Sequence, residues 1–112
     1  MSDERIKKLN ALLRDEIAQI LTKELEKDDE ALITVTGADV SPTLEHATIR
    51  ISVYPKNKTD KILKIINGHI YQIQQLLNRK LAMRPVPKIR FEIDKSEERA
   101  SQIDQLLNKI PK

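Results

Sequence analysis

The 112-residue sequence has no cysteine and no tryptophan, only two glycines, and three aromatic residues, Tyr54, Tyr71 and Phe91. Each shortage removes a class of protein. Without cysteine there is no disulfide framework, no thiolate zinc site and no Cys nucleophile, and a reducing compartment is compatible with the chain. Three rings cannot form the series of stacking platforms that an RNA-recognition motif or an oligonucleotide-binding barrel displays. Any nucleic-acid contact must therefore use backbone, basic side chains and shape. No apolar run approaches the ~18 residues that a membrane span needs, and the opening MSDERIKKLN carries no apolar signal segment. The expected location is the cytoplasm, with no membrane partner.

Chemistry-bearing patterns are equally scarce. There is no Walker loop, Gly-rich dinucleotide turn, metal-ligand spacing or nucleophile elbow, so no small-molecule substrate, cofactor or metal is expected, and an enzyme is disfavoured. His46 and His69 are the only histidines, and they read as solvent-facing polar residues rather than as a catalytic pair. Asp39, Glu92 and Asp94 are conceivable acid/base groups, but no pattern selects them.

What the sequence does hold is an aliphatic core written at two periods. Ile6, Leu9, Leu12, Leu13, Ile17, Ile20, Leu21 and Leu25 recur at three-and-four spacing, which predicts an amphipathic helix over roughly residues 3 to 27. The β-branched run Ile33 to Thr36 then predicts a strand, with Gly37 marking a bulge or a close backbone approach before Val40. Ser41, Pro42 and Thr43 make the connection. Ala47, Ile49, Ile51 and Val53 alternate with Thr48, Arg50, Ser52 and Tyr54, the period of a strand with one buried face. Helical spacing returns from Ile62 to Leu81, giving one long helix or two in tandem over residues 59 to 83. Gly68 lies inside that run at a cost of ~1 kcal/mol against Ala, which a kink or a helix-to-helix junction would explain. Pro85 and Pro87 stop the helix, Ile89, Phe91 and Ile93 alternate as a third strand, and Ser96 can cap a last helix reaching Ile110.

A chain of this length is expected to form one domain, residues 1–112. The expected class is α+β, in the order α-β-β-α-kink-α-β with an additional C-terminal helix. The first two strands should pair antiparallel, and helices should cover one face of the three-stranded sheet.

Charge is segregated along the chain. Residues 58 to 90 hold eight Lys or Arg against one acid, net +7, whereas the whole chain carries +3. A localised basic pole is the electrostatic footprint of phosphate binding, although charge runs are often solvated helix faces. Lys61, Lys64, Arg79, Lys80, Arg84, Lys88 and Arg90 are its candidate RNA-binding side chains, joined at the kink by Asn67, Gly68 and His69. For Gly68 the competing role is helix packing, and for Arg84 and Arg90 it is a local ion pair or plain exposure. Val40, Ser41 and Pro42 read as a structural turn.

The element order is that of a type II KH domain, a small RNA-binding fold, but the Gly-x-x-Gly loop between the paired helices is missing. With VTGADVSPTLEHATIRISVY at residues 35 to 54 and MRPVPKIRFEIDKS at residues 83 to 96, the chain resembles the ribosome-binding factor A family, in which a kink replaces that loop. Three departures stand out. Thr43 occupies the place of the usual Asp after Ser-Pro. Asp28, Asp29 and Glu30 replace an Asp-Pro-Arg after the first helix. The candidate for the family's Ala-x-Gly kink is Ile66-Asn67-Gly68, and either the second helix of the pair is longer here or the equivalent position is Tyr71. The resemblance implies a ribosome-assembly factor that binds the immature 30S subunit and promotes late maturation of 16S rRNA, with particular need in the cold. Its partners would be 16S rRNA and the free 30S subunit, bound as a monomer. Two alternatives are a generic KH-like module for single-stranded RNA and a protein-interaction domain that works through acidic helix one.

Overall fold

A computed structural model describes residues 3–25 and 31–96. The elements run α1 (Asp3–Glu24), β1 (Leu32–Val40), β2 (His46–Tyr54), a 3-10 turn (Lys56–Lys58), α2 (Thr59–Gly68), α3 (Ile70–Lys80) and β3 (Lys88–Ile93). The α-β-β-α-kink-α-β order expected from periodicity is therefore present. The last helix, from Ser96 onward, lies outside the described residues but for Ser96 itself.

β1 and β2 pair antiparallel, and β2 pairs parallel with β3, so β2 is the central strand. A parallel pair requires a crossover, and the α2–α3 segment supplies it. The ladder shifts between Val35 and Gly37, so Gly37 does mark a bulge. It also marks a close approach, because a Cβ there would run into the Arg50 guanidinium. With no side chain at Gly37, Arg50 can lie across β1 and pair with Asp39.

All three helices pack on one face of the sheet, α1 chiefly against β1 and α3. The buried cluster is aliphatic: Leu13, Ile17, Ile20 and Leu21 of α1 meet Ala47, Ile49, Ile51 and Val53 of β2 and Ile62, Ile66, Ile73 and Leu77 of the paired helices. Three positions differ from the pattern. Leu12 is 44% exposed, because the α1 stripe is narrower than its apolar spacing suggests. Phe91 and Ile93 pack against the cluster only partly buried, since β3 lies at the margin of the helical layer.

Side-chain amides tie helices to strands. Asn10 Oδ1 accepts the Val40 N–H at 2.8 Å. Gln74 donates to the Pro87 carbonyl at 3.0 Å and accepts the Ile89 N–H at 2.9 Å, fixing the entry of β3. Asp94, just past β3, accepts the Thr36 hydroxyl at 2.5 Å and the Ser96 N–H at 2.8 Å. Hydrogen bonding by the Ser96 side chain first, then by Thr36 and the Ser96 N–H, holds its carboxyl at about 2, below the ordinary value of 3.8. A carboxylate so firmly ionised serves as a tie rather than as a general acid.

Candidate nucleic-acid interface

The paired helices break at a single residue. His69 is the C-cap of α2 and the N-cap of α3 at once, with φ −106° and ψ 10°. Its N–H is shared between the carbonyls of Ile65 and Ile66, and its carbonyl accepts the Ile73 N–H at 3.0 Å. The helix before it closes normally while the helix after it starts afresh. α3 has no side-chain cap and no acid in its first turn. Its opening N–H groups and positive dipole end are therefore not neutralised by its own sequence.

The expected kink residues sit on the outside of this junction, with Asn67, Gly68 and His69 all exposed. Gly68 is the last residue of α2, and a Cβ added there would meet nothing within 4 Å. The packing explanation for Gly68 fails on that ground. The residue leaves a bare spot where another backbone can come close.

Lys61, Lys64 and Gly68 fall at i, i+3 and i+7, one stripe on the surface of α2 that faces away from buried Ile62 and Ile66. Both lysines are exposed and have no ion-pair partner among the described residues. Exposed Arg79 extends the same outer surface along α3.

The remaining basic residues do not join this stripe. Lys80 Nζ lies 3.4 Å from Glu16 Oε2 and links α3 to α1. Arg84 Nη1 donates to the carbonyls of Leu81 and Met83 at 2.7 and 2.6 Å, closing the turn that follows α3. Lys88 and Arg90 lie on β3, where Arg90 Nε donates to Thr48 Oγ1 at 3.1 Å on the face of the sheet away from the helices. One run in sequence thus divides into four places in space. His46 and His69 are both exposed, as expected, one opening β2 and the other at the kink.

Residues 5–107 match the family model described as ribosome-binding factor A. The chain belongs to that family. Among ribosome-binding factor A relatives, that of Thermomicrobium roseum is 33% identical over 111 residues, covering 98% of this chain and 86% of the relative. That of Prochlorococcus marinus is 36% identical over 109 residues, covering 95% and 89%. In fold, the chain is similar to the crystal structure of ribosome-binding factor A from Thermus thermophilus, with TM-score 0.68 at 19% identity over 79% of this chain and 94% of that one. It is also similar to a homology model of the Thermus thermophilus factor fitted into a cryo-EM map of a 30S–RbfA complex, with TM-score 0.62 at 17% identity, covering 77% and 91%.

Two departures from the ribosome-binding factor A pattern have a local account. Thr43, in place of Asp, bonds the Ser41 hydroxyl at 3.2 Å, and that hydroxyl accepts the His46 N–H at 3.2 Å. The turn is further closed by Ser41 N–H to the His46 carbonyl at 2.8 Å and Leu44 N–H to the Ser41 carbonyl at 2.9 Å, which supports the structural reading of this link. At the candidate kink, Ile66 is fully buried, so the junction is anchored by a large side chain and the break falls after Gly68. The third departure, Asp28 to Glu30, lies outside the described residues. No helix among the described residues is long and apolar enough to cross a membrane.

Proposed function

We propose that this chain is a single-domain ribosome-assembly factor of the cytoplasm, without catalytic chemistry of its own. It binds the immature small subunit and promotes late maturation of 16S rRNA through the outer surface of α2 and α3. The observation that carries this reading is that one outer surface holds Lys61 and Lys64, without an ion-pair partner among the described residues, and leads to the bare Gly68 and the uncapped start of α3. Lysines supply charge to phosphates and release counterions. Gly68 lets the sugar-phosphate backbone approach, and the free N–H groups of α3 favour an anion. Family membership and the fit of the Thermus relative into a map of a 30S complex support the partner.

The test compares small-subunit binding of the wild type with that of Lys61→Glu/Lys64→Glu/Arg79→Glu. All three side chains are exposed, so melting should be unchanged. Binding should fall by orders of magnitude, and the slope of log K against log salt should shrink by roughly one unit for each phosphate no longer neutralised. Gly68→Ala should leave melting unchanged or slightly raised while weakening binding. If Glu24→Lys on α1 abolishes binding and the lysine reversals are silent, the acidic helix is the docking surface and the phosphate mechanism is wrong.

A further inference from the structure

The face of the sheet opposite the helices has no place in that reading, yet it too carries an organised set of cations. The register sets His46 of β2 beside Lys88 of β3, and Thr48 beside Arg90. Neighbouring strands lie about 4.8 Å apart and same-face residues about 7 Å apart along each strand. These four side chains therefore form a compact quadrilateral, lining a shallow depression together with Asp39, Val40, Ser41 and Ile89.

Its lining holds two formal cations, Lys88 and Arg90, against one carboxylate. The bond from Nε to Thr48 Oγ1 orients the Arg90 guanidinium and leaves both terminal nitrogens without a partner among the described residues. The Lys88 ammonium and the His46 ring have none either. Asp39, the one acid of the lining, is engaged by Arg50. Glu92 stands opposite Arg50 rather than among the four. A guanidinium held by Nε with its terminal fork open, beside a free ammonium, is suited to a phosphodiester.

This site and the kink look in opposite directions. A layer of helix about 10 Å thick separates their outer surfaces, more than the Debye length of about 8 Å at physiological salt. The two clusters act as independent contacts, and one straight RNA segment cannot touch both.

We propose that the open face of the sheet is a second phosphate-binding surface, centred on His46, Thr48, Lys88 and Arg90. Through it the chain bridges two separate segments of rRNA, one at the kink and one across β2 and β3. The proposal rests on the reading that this chain binds rRNA, and it adds that the contact is two-sided.

The absence of native cysteine allows a direct test on immature small subunits. Iron–EDTA tethered at Glu92→Cys, on the open sheet face, or at Gln72→Cys, on α3, reports nearby rRNA by hydroxyl-radical cleavage. The expected result is cleavage from both tethers, in two distinct segments of 16S rRNA. In the cysteine-free chain, Lys88→Gln/Arg90→Gln should reduce the salt slope by roughly two units and binding by at least about tenfold. Its effect should add to that of Lys61→Gln/Lys64→Gln. Thermal melting confirms that each variant folds. Cleavage from Gln72→Cys alone, or an unchanged salt slope in the sheet-face variant, overturns the second surface and leaves the kink reading intact. Crosslinking of the Glu92→Cys position to a ribosomal protein instead of RNA overturns it in favour of a protein contact. If the wild-type chain binds no subunit at all, the reading of rRNA binding falls, and this proposal with it.

Discussion

Lys80 belongs to the basic segment by sequence but is held by Glu16 in the fold, and a charge swap separates the two roles. The ion pair spans 3.4 Å, with the side chains 34% and 23% exposed. At that depth an ion pair contributes about 0.5–1 kcal/mol after desolvation and side-chain entropy. Lys80→Glu replaces this attraction with a repulsion of similar size, so the expected cost is about 1–2 kcal/mol. For a domain of this size that lowers Tm by roughly 5–10 °C. Glu16→Lys should cost about as much, and the double variant Glu16→Lys/Lys80→Glu should recover most of the loss. The assay is thermal denaturation followed by circular dichroism, run as a double-mutant cycle at low salt and repeated near 1 M salt, where screening should shrink the coupling. Small-subunit binding of the double variant then shows whether Lys80 also contacts RNA, since the fold is restored while the cation has moved to α1. Additive single effects with no recovery, or a Lys80→Glu protein that melts like wild type, would refute the assigned role.

Ile51 is fully buried in the central strand, so Ile51→Asp should abolish the folded circular dichroism signal; Thr48→Asp, on the opposite face, should melt within a few degrees of wild type. Phe91→Asp should fall between them because Phe91 is only partly buried, and equal damage from all three would show that the register is wrong. Asp94 has a depressed carboxyl, so its contribution is complete above the unfolded value of 3.8 and is lost as pH falls through about 2. Asp94→Asn should therefore lower Tm by a few degrees at neutral pH, with a gap that closes in acid; a gap that persists at pH ~2 would contradict the tie to Thr36 and Ser96. Size-exclusion chromatography combined with light scattering should give a monomer with Tm independent of protein concentration.

The elements are legible in the sequence because each is written in its own period. The alternation through Ala47 to Val53 and the helical spacing through Ile62 to Leu81 each point to one buried face, and the structure buries those residues. Gly37 and Gly68 are legible as breaks, because neither fits its surrounding pattern without a reason. The division of the basic segment is not legible. Whether a cation is free or paired depends on what the fold brings to it, as α1 brings Glu16 to Lys80 and the turn after α3 brings the Leu81 carbonyl to Arg84. The same limit hides Asn10 and Gln74, whose polar side chains on otherwise ordinary helices give no signal until the strand they serve is beside them. His46 stands out in the sequence as a histidine, yet its proximity to Lys88 follows only from the parallel register of β2 and β3.

Those two amides have a consequence for the sheet's unpaired margins. In the β2–β3 ladder, Lys88 N–H turns inward to the Glu45 carbonyl, so Ile89 N–H and the Pro87 carbonyl face outward, and Gln74 occupies both. On the far side, Ser41 N–H turns inward to His46, leaving Val40 N–H outward for Asn10. Each exposed edge is thus stoppered at one end by a helix side chain standing in for a further strand, and the bulge at Gly37 distorts the β1 edge beyond. A second chain seeking to add itself there finds backbone groups already satisfied, which protects a small aliphatic sheet from growing by strand addition into aggregates. Asn10 and Gln74 thereby tie helices to strands and close one end of each sheet margin to another strand.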